Sequence, residues 1–563
     1  MLRKVVLIGL LVFVGLPTAW VGVEHLRGRS MLSAALARIE FRHETLDLAS
    51  MLPPAVPFDS NGLPALIAAS HRMGDLAGIM PPGFEMIGPA RAIPGTRMEV
   101  WTARTGTNGW DGLTQALQAH SEDLQDLHAA LAKPARRSDL DLSAGFARMK
   151  IPHLSPIKNA VVALAASSTE AGHRGDMEGA VADLLGMRVL EGDLADEPIL
   201  ISQLVRVACG SIANARVWSV FHARDWNESE LASLQKTLTG GSYTAPMVRS
   251  LEGERAGGLY EIQHATSEDL VEMMRGDALA RAFGGGPAPL QMPDSVDGAV
   301  EFAEAFVQQL GRGVLRCVLL PVWRFGWGDQ SAAFSLDCLG SMIDVYRRAD
   351  RLRSFAETKS LDVEALVEAR TAYGLLRTVF ARVTLPVLEG AVVKGFRVEN
   401  ERAMHETAIA LRRFQIRNKR LPSKLEELVP ELLASVPIDR MDGKPLRYRR
   451  DTEETFTLWS VGDDLKDDGG DPSPPADRNS PLRAQWWMAK DAVWPHPAAA
   501  AEIEEWQRSQ VVKMSGRNPG KPGGGGSGRA VQMTAELMKR YGLNPAVLGM
   551  ATNAAATNAA VGR

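Results

Sequence analysis

Cysteine is scarce: Cys209, Cys317 and Cys338 are all that 563 residues contain. None is spaced as CxxC, which argues against a structural zinc site and excludes a disulfide framework as the organising principle, leaving one bridge open. Aromatic residues make up only 6%, while alanine and leucine are plentiful. That balance favours helix packed on helix over sheet sandwiches. Neither sign of charge dominates, because 63 Lys and Arg stand against 67 Asp and Glu, so the chain as a whole is no polyanion binder. Local catalytic signatures are missing as well. There is no GxSxG elbow, and no cysteine has nucleophile-type surroundings. His43 and His405 each open a His-Glu-Thr run without the second histidine that a zinc-protease helix needs one turn on. "GRNPGKP" lacks the strand and the hydroxyl of a phosphate loop. A site assembled from distant residues would be invisible to these motifs.

What is present begins with a long uncharged run. Val5 to Val23 is 19 residues, just long enough as a helix to cross a hydrocarbon core of about 30 Å. Arg3 and Lys4 precede it, and no small-x-small cleavage site closes it. The run therefore predicts an uncleaved anchor, with a cleaved signal peptide as the alternative. The expected location is the inner membrane, single-pass, with the bulk of the chain in the periplasm.

Beyond this anchor region (1–30), punctuation divides the chain. Residues 31–153 mix helical runs with Pro/Gly stretches. Residues 154–282 read as antiparallel helical hairpins: Ser155-Pro156 opens one helix, and Asn227 with Glu230 forms an N-x-x-E capping arrangement for another. "GDMEGAVADLLGMRVLEGDLADEP" resembles the second helix of a tetratricopeptide repeat, so the hairpins are TPR-like. Residues 283–294 form a linker, 295–400 a second helical region, 401–480 an α+β module and 481–507 a Trp-rich extension that packs back on the body. A disordered, basic, Gly/Ala-rich tail follows over 508–563. No aromatic residues interleave with its charges, so no nucleic acid is expected as a partner. The fold class is thus mainly α: a transmembrane helix, an array of hairpins, a small module with a short antiparallel sheet, and a tail.

The most informative stretch is Glu401 to Asp471. A helix with Met404, Ala408, Leu411 and Phe414 on one face leads to a short helix capped by Ser423 and Glu426, with Leu425, Leu428 and Leu432 as its stripe. Two strands follow, around Leu446 and Tyr448 and around Phe456 and Leu458. "TLWSVGDDLKDDGGD" closes the segment with five aspartates in nine residues. A hard dication takes six to eight oxygens, mixing carboxylates with carbonyls from a tight turn. Asp464, Asp467, Asp468 and Asp471, with the carbonyl of Val461, are the candidate calcium ligands, and Gly469-Gly470 lets the backbone turn round an ion. The bland alternative is a solvated acidic turn with Lys466 and Arg478 as counter-charges.

In its order of elements this segment resembles the C-terminal half of the major pseudopilin of type II secretion systems. The matching positions are Leu421-Pro422, then Pro437, Asp439, Gly443, Pro445 and Tyr448, and finally Ser460, Gly462 and Asp464. The resemblance implies that the loop binds calcium, which folds the end of the sheet. Leu465 stands where the family has glycine, and since leucine tolerates positive φ poorly, the loop is expected to take another path. The start of the chain has no Gly-Phe processing site, so fibre assembly is not expected. The whole chain also resembles a group of large, anchored bacterial envelope proteins of this layout, a resemblance that supplies no activity. Together these readings give an expected function: a non-catalytic, membrane-anchored envelope scaffold that binds protein partners and carries a calcium-stapled module. The alternatives are an exported hydrolase with its site in the helical body, and a component of a secretion-like machine.

Overall fold

The computed structural model describes residues 15–74, 76, 84–94, 109–142, 145–146, 149–264, 320–367, 371–474 and 486–506. The first ten residues of the expected anchor (Val5–Val14), the expected linker over 283–294, Cys317, Arg478 and the expected tail over 508–563 lie outside the described residues.

The described chain is mainly helical with two short sheets. Its elements are α1 (Leu16–Phe41), α2 (Leu63–Arg72), β1 (Phe84–Gly88), β2 (Arg91–Pro94), α3 (Gly109–Ala119), α4 (Ser121–Leu131), α5 (Leu154–Arg174), α6 (Met177–Asp193), α7 (Leu200–Phe221), α8 (Glu228–Lys236), α9 (Thr244–His264), α10 (Asp329–Leu352), α11 (Ala372–Asn418), β3 (Arg447–Arg450), β4 (Phe456–Ser460), β5 (Ala492–Val493) and β6 (His496–Pro497).

Local chemistry explains several of the boundaries. At α8 the capping box closes: Asn227 Oδ1 accepts from the Glu230 N–H at 3.0 Å, and Glu230 accepts from the Asn227 N–H at 2.8 Å. Asp176 caps α6 through the Gly179 N–H at 2.8 Å. Gly175 ends α5 at φ 86, a left-handed conformation that costs glycine nothing. The short helix after Leu421 is a 3-10 turn, Leu425–Leu428, and Ser423 bonds Glu427 in place of Glu426. Leu425, Leu428 and Leu432 are all buried there.

Two large apolar clusters share α7. One gathers α2 to α8, where Leu164, Leu184 and Leu234 are buried. The other collects α9, α10, α11 and the C-terminal module, where Met342, Phe396 and Leu458 are buried. A smaller cluster joins α1 to α10 through Leu32, Ala35, Ile39, Ala332 and Leu336. α11 runs unbroken through position 401, so the module grows directly out of the body's longest helix.

The membrane-spanning helix expected over Val5–Val23 is corrected: among the described residues no helix is long and apolar enough to cross a membrane. Only Gly15–Val23 of that run is described, and at 1.5 Å per residue it spans about 14 Å. Beyond it α1 continues into turns that serve the protein interior. Glu24 is buried and accepts hydrogen bonds from Gln330 Nε2 at 2.7 Å and from the Tyr373 hydroxyl at 2.5 Å. Arg38 and Arg42 pair with Asp337 and Asp344 of α10 at 2.6 and 2.8 Å. A helix whose next three turns are bound to protein through charged groups reads as part of the folded body. The expected transmembrane element, single-pass topology and inner-membrane location fall with it. In the apolar piece at Leu320–Gly328, Leu320, Trp323 and Trp327 are buried, whereas Val322 and Phe325 are exposed.

Candidate functional site

Two sheets bracket the C-terminal module. Sheet order is β1-β2-β6 in one and β3-β4-β5 in the other. β3 and β4 form an antiparallel hairpin with Tyr448 opposite Leu458, and β5 adds antiparallel to β4, with Val493 opposite Trp459.

At the base of the hairpin sits Asp439, wholly buried. Its Oδ1 accepts from Asn400 Nδ2 at 2.9 Å, the Met441 N–H at 2.9 Å and Ser460 Oγ at 2.8 Å. Its Oδ2 accepts from the Val461 N–H at 2.9 Å and from Arg447 at 2.7 Å. One carboxylate thus ties α11, the Pro437–Pro445 turn, β3 and the end of β4. Burial pushes its carboxyl above the ordinary range, against the pull of those donors.

The acidic turn leaves β4 from this anchor point. Gly462 adopts φ 64, Leu465 φ 63, Gly469 φ 74 and Gly470 φ 85. Leucine tolerates that left-handed conformation poorly, yet Leu465 takes it. Its side chain packs against the core, which offsets a backbone cost of about 1–2 kcal/mol.

The sequence-predicted ligands are distributed along the turn. Asp464 is exposed and bonds the Lys466 N–H at 3.0 Å. Asp467 accepts from Trp459 Nε1 at 3.0 Å, the Gly469 N–H at 3.1 Å and Arg447 Nε at 3.3 Å. Its partial burial would raise the carboxyl, but these donors together hold it below its usual range. Asp468 is exposed. Asp471 accepts from Lys490 Nζ at 2.8 Å and the Ser473 N–H at 3.0 Å, and the Lys490 and Ser473 bonds pull it down to about 2. Val461 is buried. Among the described residues no group of three or more His, Cys, Asp or Glu side chains is gathered as a metal centre.

The residue that the acidic motif does not contain is Asp491. It is wholly buried, twenty positions beyond Asp471, and the turn wraps its backbone around it. Asp491 Oδ2 accepts from the N–H groups of Gly470 at 2.8 Å and Asp471 at 3.1 Å, and the Asp491 N–H donates to the Asp471 carbonyl at 2.9 Å. Its Oδ1 is enclosed and accepts no hydrogen bond. Burial raises the Asp491 carboxyl, and the Asp467 carboxylate nearby raises it further, against the backbone N–H groups of Gly470, Asp471 and Asp468. The signal in the sequence is the short apolar run "AVW" after a Pro-rich break, which suits a buried strand without saying which strand it joins.

Compared with known proteins, the chain matches no family model, no curated relative and no solved structure.

Proposed function

We propose that this chain is a non-catalytic binding scaffold whose C-terminal module is closed by calcium at the acidic turn. The observation that carries the calcium reading is Asp491 Oδ1: an enclosed carboxylate oxygen without a donor, with the Asp467 carboxylate beside it. A buried carboxylate oxygen without a partner is costly, and a cation is one chemistry that relieves it. Asp491 and Asp467 would hold the ion, and the turn would have to close for Asp471, Asp464, Asp468 and the Val461 carbonyl to add further oxygens. Bound there, calcium supplies charge neutralisation and fixes the turn against the third strand.

The scaffold reading draws on the body. Between α9 and α10 the helices leave an open groove of about 640 Å³, lined by Val248, Arg249, Glu252, Arg347, Asp350 and Arg351 among others. Among the described residues, no histidine, cysteine or serine lines it. Arg347 is bound to Glu44 and Glu252 at 2.6 and 2.7 Å. Such a wall offers paired charges to a protein partner and no nucleophile with a base.

Calcium titration of the metal-free full chain, followed by melting temperature, tests the proposal. A ligand at a hundred times its dissociation constant stabilises by about 2.7 kcal/mol, so millimolar calcium is expected to raise the melting temperature and Asp491→Asn to abolish the rise. An unchanged melting temperature in the unsubstituted chain at millimolar calcium would sink the reading.

A further inference from the structure

The segment Ala492–Pro497 supplies the third strand of both sheets. Val493 pairs with Trp459 of β4, and three residues later His496 pairs with Arg91 of β2. This one short stretch therefore fastens the N-terminal hairpin to the C-terminal module. Between the two strands, Trp494 enters a box of rings: Trp218 and Phe221 of α7, His222 just beyond its end, His405 of α11, Phe456 of β4 and His496 of β6.

One polar contact in this box requires a neutral imidazole. Trp494 Nε1 donates to His405 Nδ1 at 3.0 Å. An imidazolium has no acceptor, so a proton on Nδ1 must displace that bond. The charges facing His405 are Glu401, whose Oε1 lies 3.8 Å from Nε2, and the neighbouring His222. His222 Nε2 is enclosed without a hydrogen-bond partner, and the titratable groups facing it are His405 and His496. His496 Nε2 lies 2.9 Å from the Phe456 carbonyl, with Arg91 and Asp451 as its charged neighbours.

We propose that Ala492–Pro497 is an acid-released clasp: protonation of the His222, His405 and His496 cluster expels Trp494 and lifts the segment off both sheets while the helical body stays folded. Burial supports the direction, holding His496 below its usual range and His222 down to about 3. Both are depressed, so the clasp is fully held above the ordinary imidazole value of about 6.5 and loosens progressively as pH falls below it.

The test is hydrogen exchange on the full chain in calcium-free buffer from pH 7.5 to 4, read by mass spectrometry and corrected for intrinsic exchange. Peptides covering Trp486–Ala498 are expected to lose protection at a higher pH than peptides from α5, α6 and α7. His222→Phe, which keeps a ring in the box, is expected to move that loss roughly one pH unit lower. Trp494→Phe, which removes the bond to His405, is expected to weaken protection of the segment already at pH 7.5. Loss of protection in the segment and the helices at one common pH, or a midpoint that His222→Phe leaves in place, would overturn the proposal.

Discussion

Asp439 and Arg447 meet at 2.7 Å inside the module, the carboxylate wholly buried and the guanidinium 12% exposed. The pair joins the turn that precedes the hairpin to the first strand of it, and Arg447 passes on to Asp442 and Asp467. One cation thereby links the buried anchor to the acidic turn.

Asp439→Ala is expected to destabilise the module by about 3–5 kcal/mol, since it removes the one fully buried partner of Arg447 and strands four further donors. Asp439→Asn, which keeps the shape and some acceptors, is expected to cost less. Urea denaturation of the full chain, read on the module's tryptophans, gives the two values. Equal stability of Asp439→Ala and the unsubstituted chain would show that the hub carries no weight.

Gly253 on α9 packs where a Cβ would lie 1.8 Å from the Pro198 carbonyl oxygen. That oxygen belongs to backbone and cannot swing aside. Gly253→Ala is expected to cost about 1–3 kcal/mol by forcing α9 off the start of α7, despite the better helix propensity of alanine. Gly258, one turn on, has open space around it, so Gly258→Ala is expected to be neutral or stabilising. A thermal melt of the two variants side by side decides whether packing or propensity governs this helix.

Glu254 accepts the Leu200 N–H at 3.0 Å at the first turn of α7. Burial raises its carboxyl to about 7. A group raised in the folded state favours folding while protonated, so its contribution is complete below the unfolded value of about 4.5 and is lost as pH climbs to 7. Glu254→Gln is expected to remove that slope and to gain at most about 3 kcal/mol over the unsubstituted chain at pH 8. Stability curves that keep the same pH dependence with and without the carboxyl would refute the assignment.

Much of the helical body was legible because its signals are local. The Asn227–Glu230 cap needs four residues and forms as read. Met404, Ala408, Leu411 and Phe414 fall on one face by helical period alone, and all four are buried. The hairpin at β3 and β4 could be read from alternation and a reversal. The anchor was misread for the same reason: hydropathy registers an uncharged run and is blind to Gln330 and Tyr373, which bind Glu24 from more than 300 positions away. At Leu465 core packing overrides an intrinsic preference.

The sequence by itself determined the helix periods, the capping at α8, the Pro/Gly-bounded hairpin and the crowding of aspartates after Ser460. Each follows from neighbours a few bonds apart. Only the tertiary structure decided that Asp491 completes the acidic turn, that Ala492–Pro497 joins two sheets, and that three histidines from distant parts of the chain share one aromatic box. Those choices rest on apolar burial and on hydrogen bonds between residues dozens to hundreds of positions apart, and no local pattern records which distant partner a buried polar atom will find.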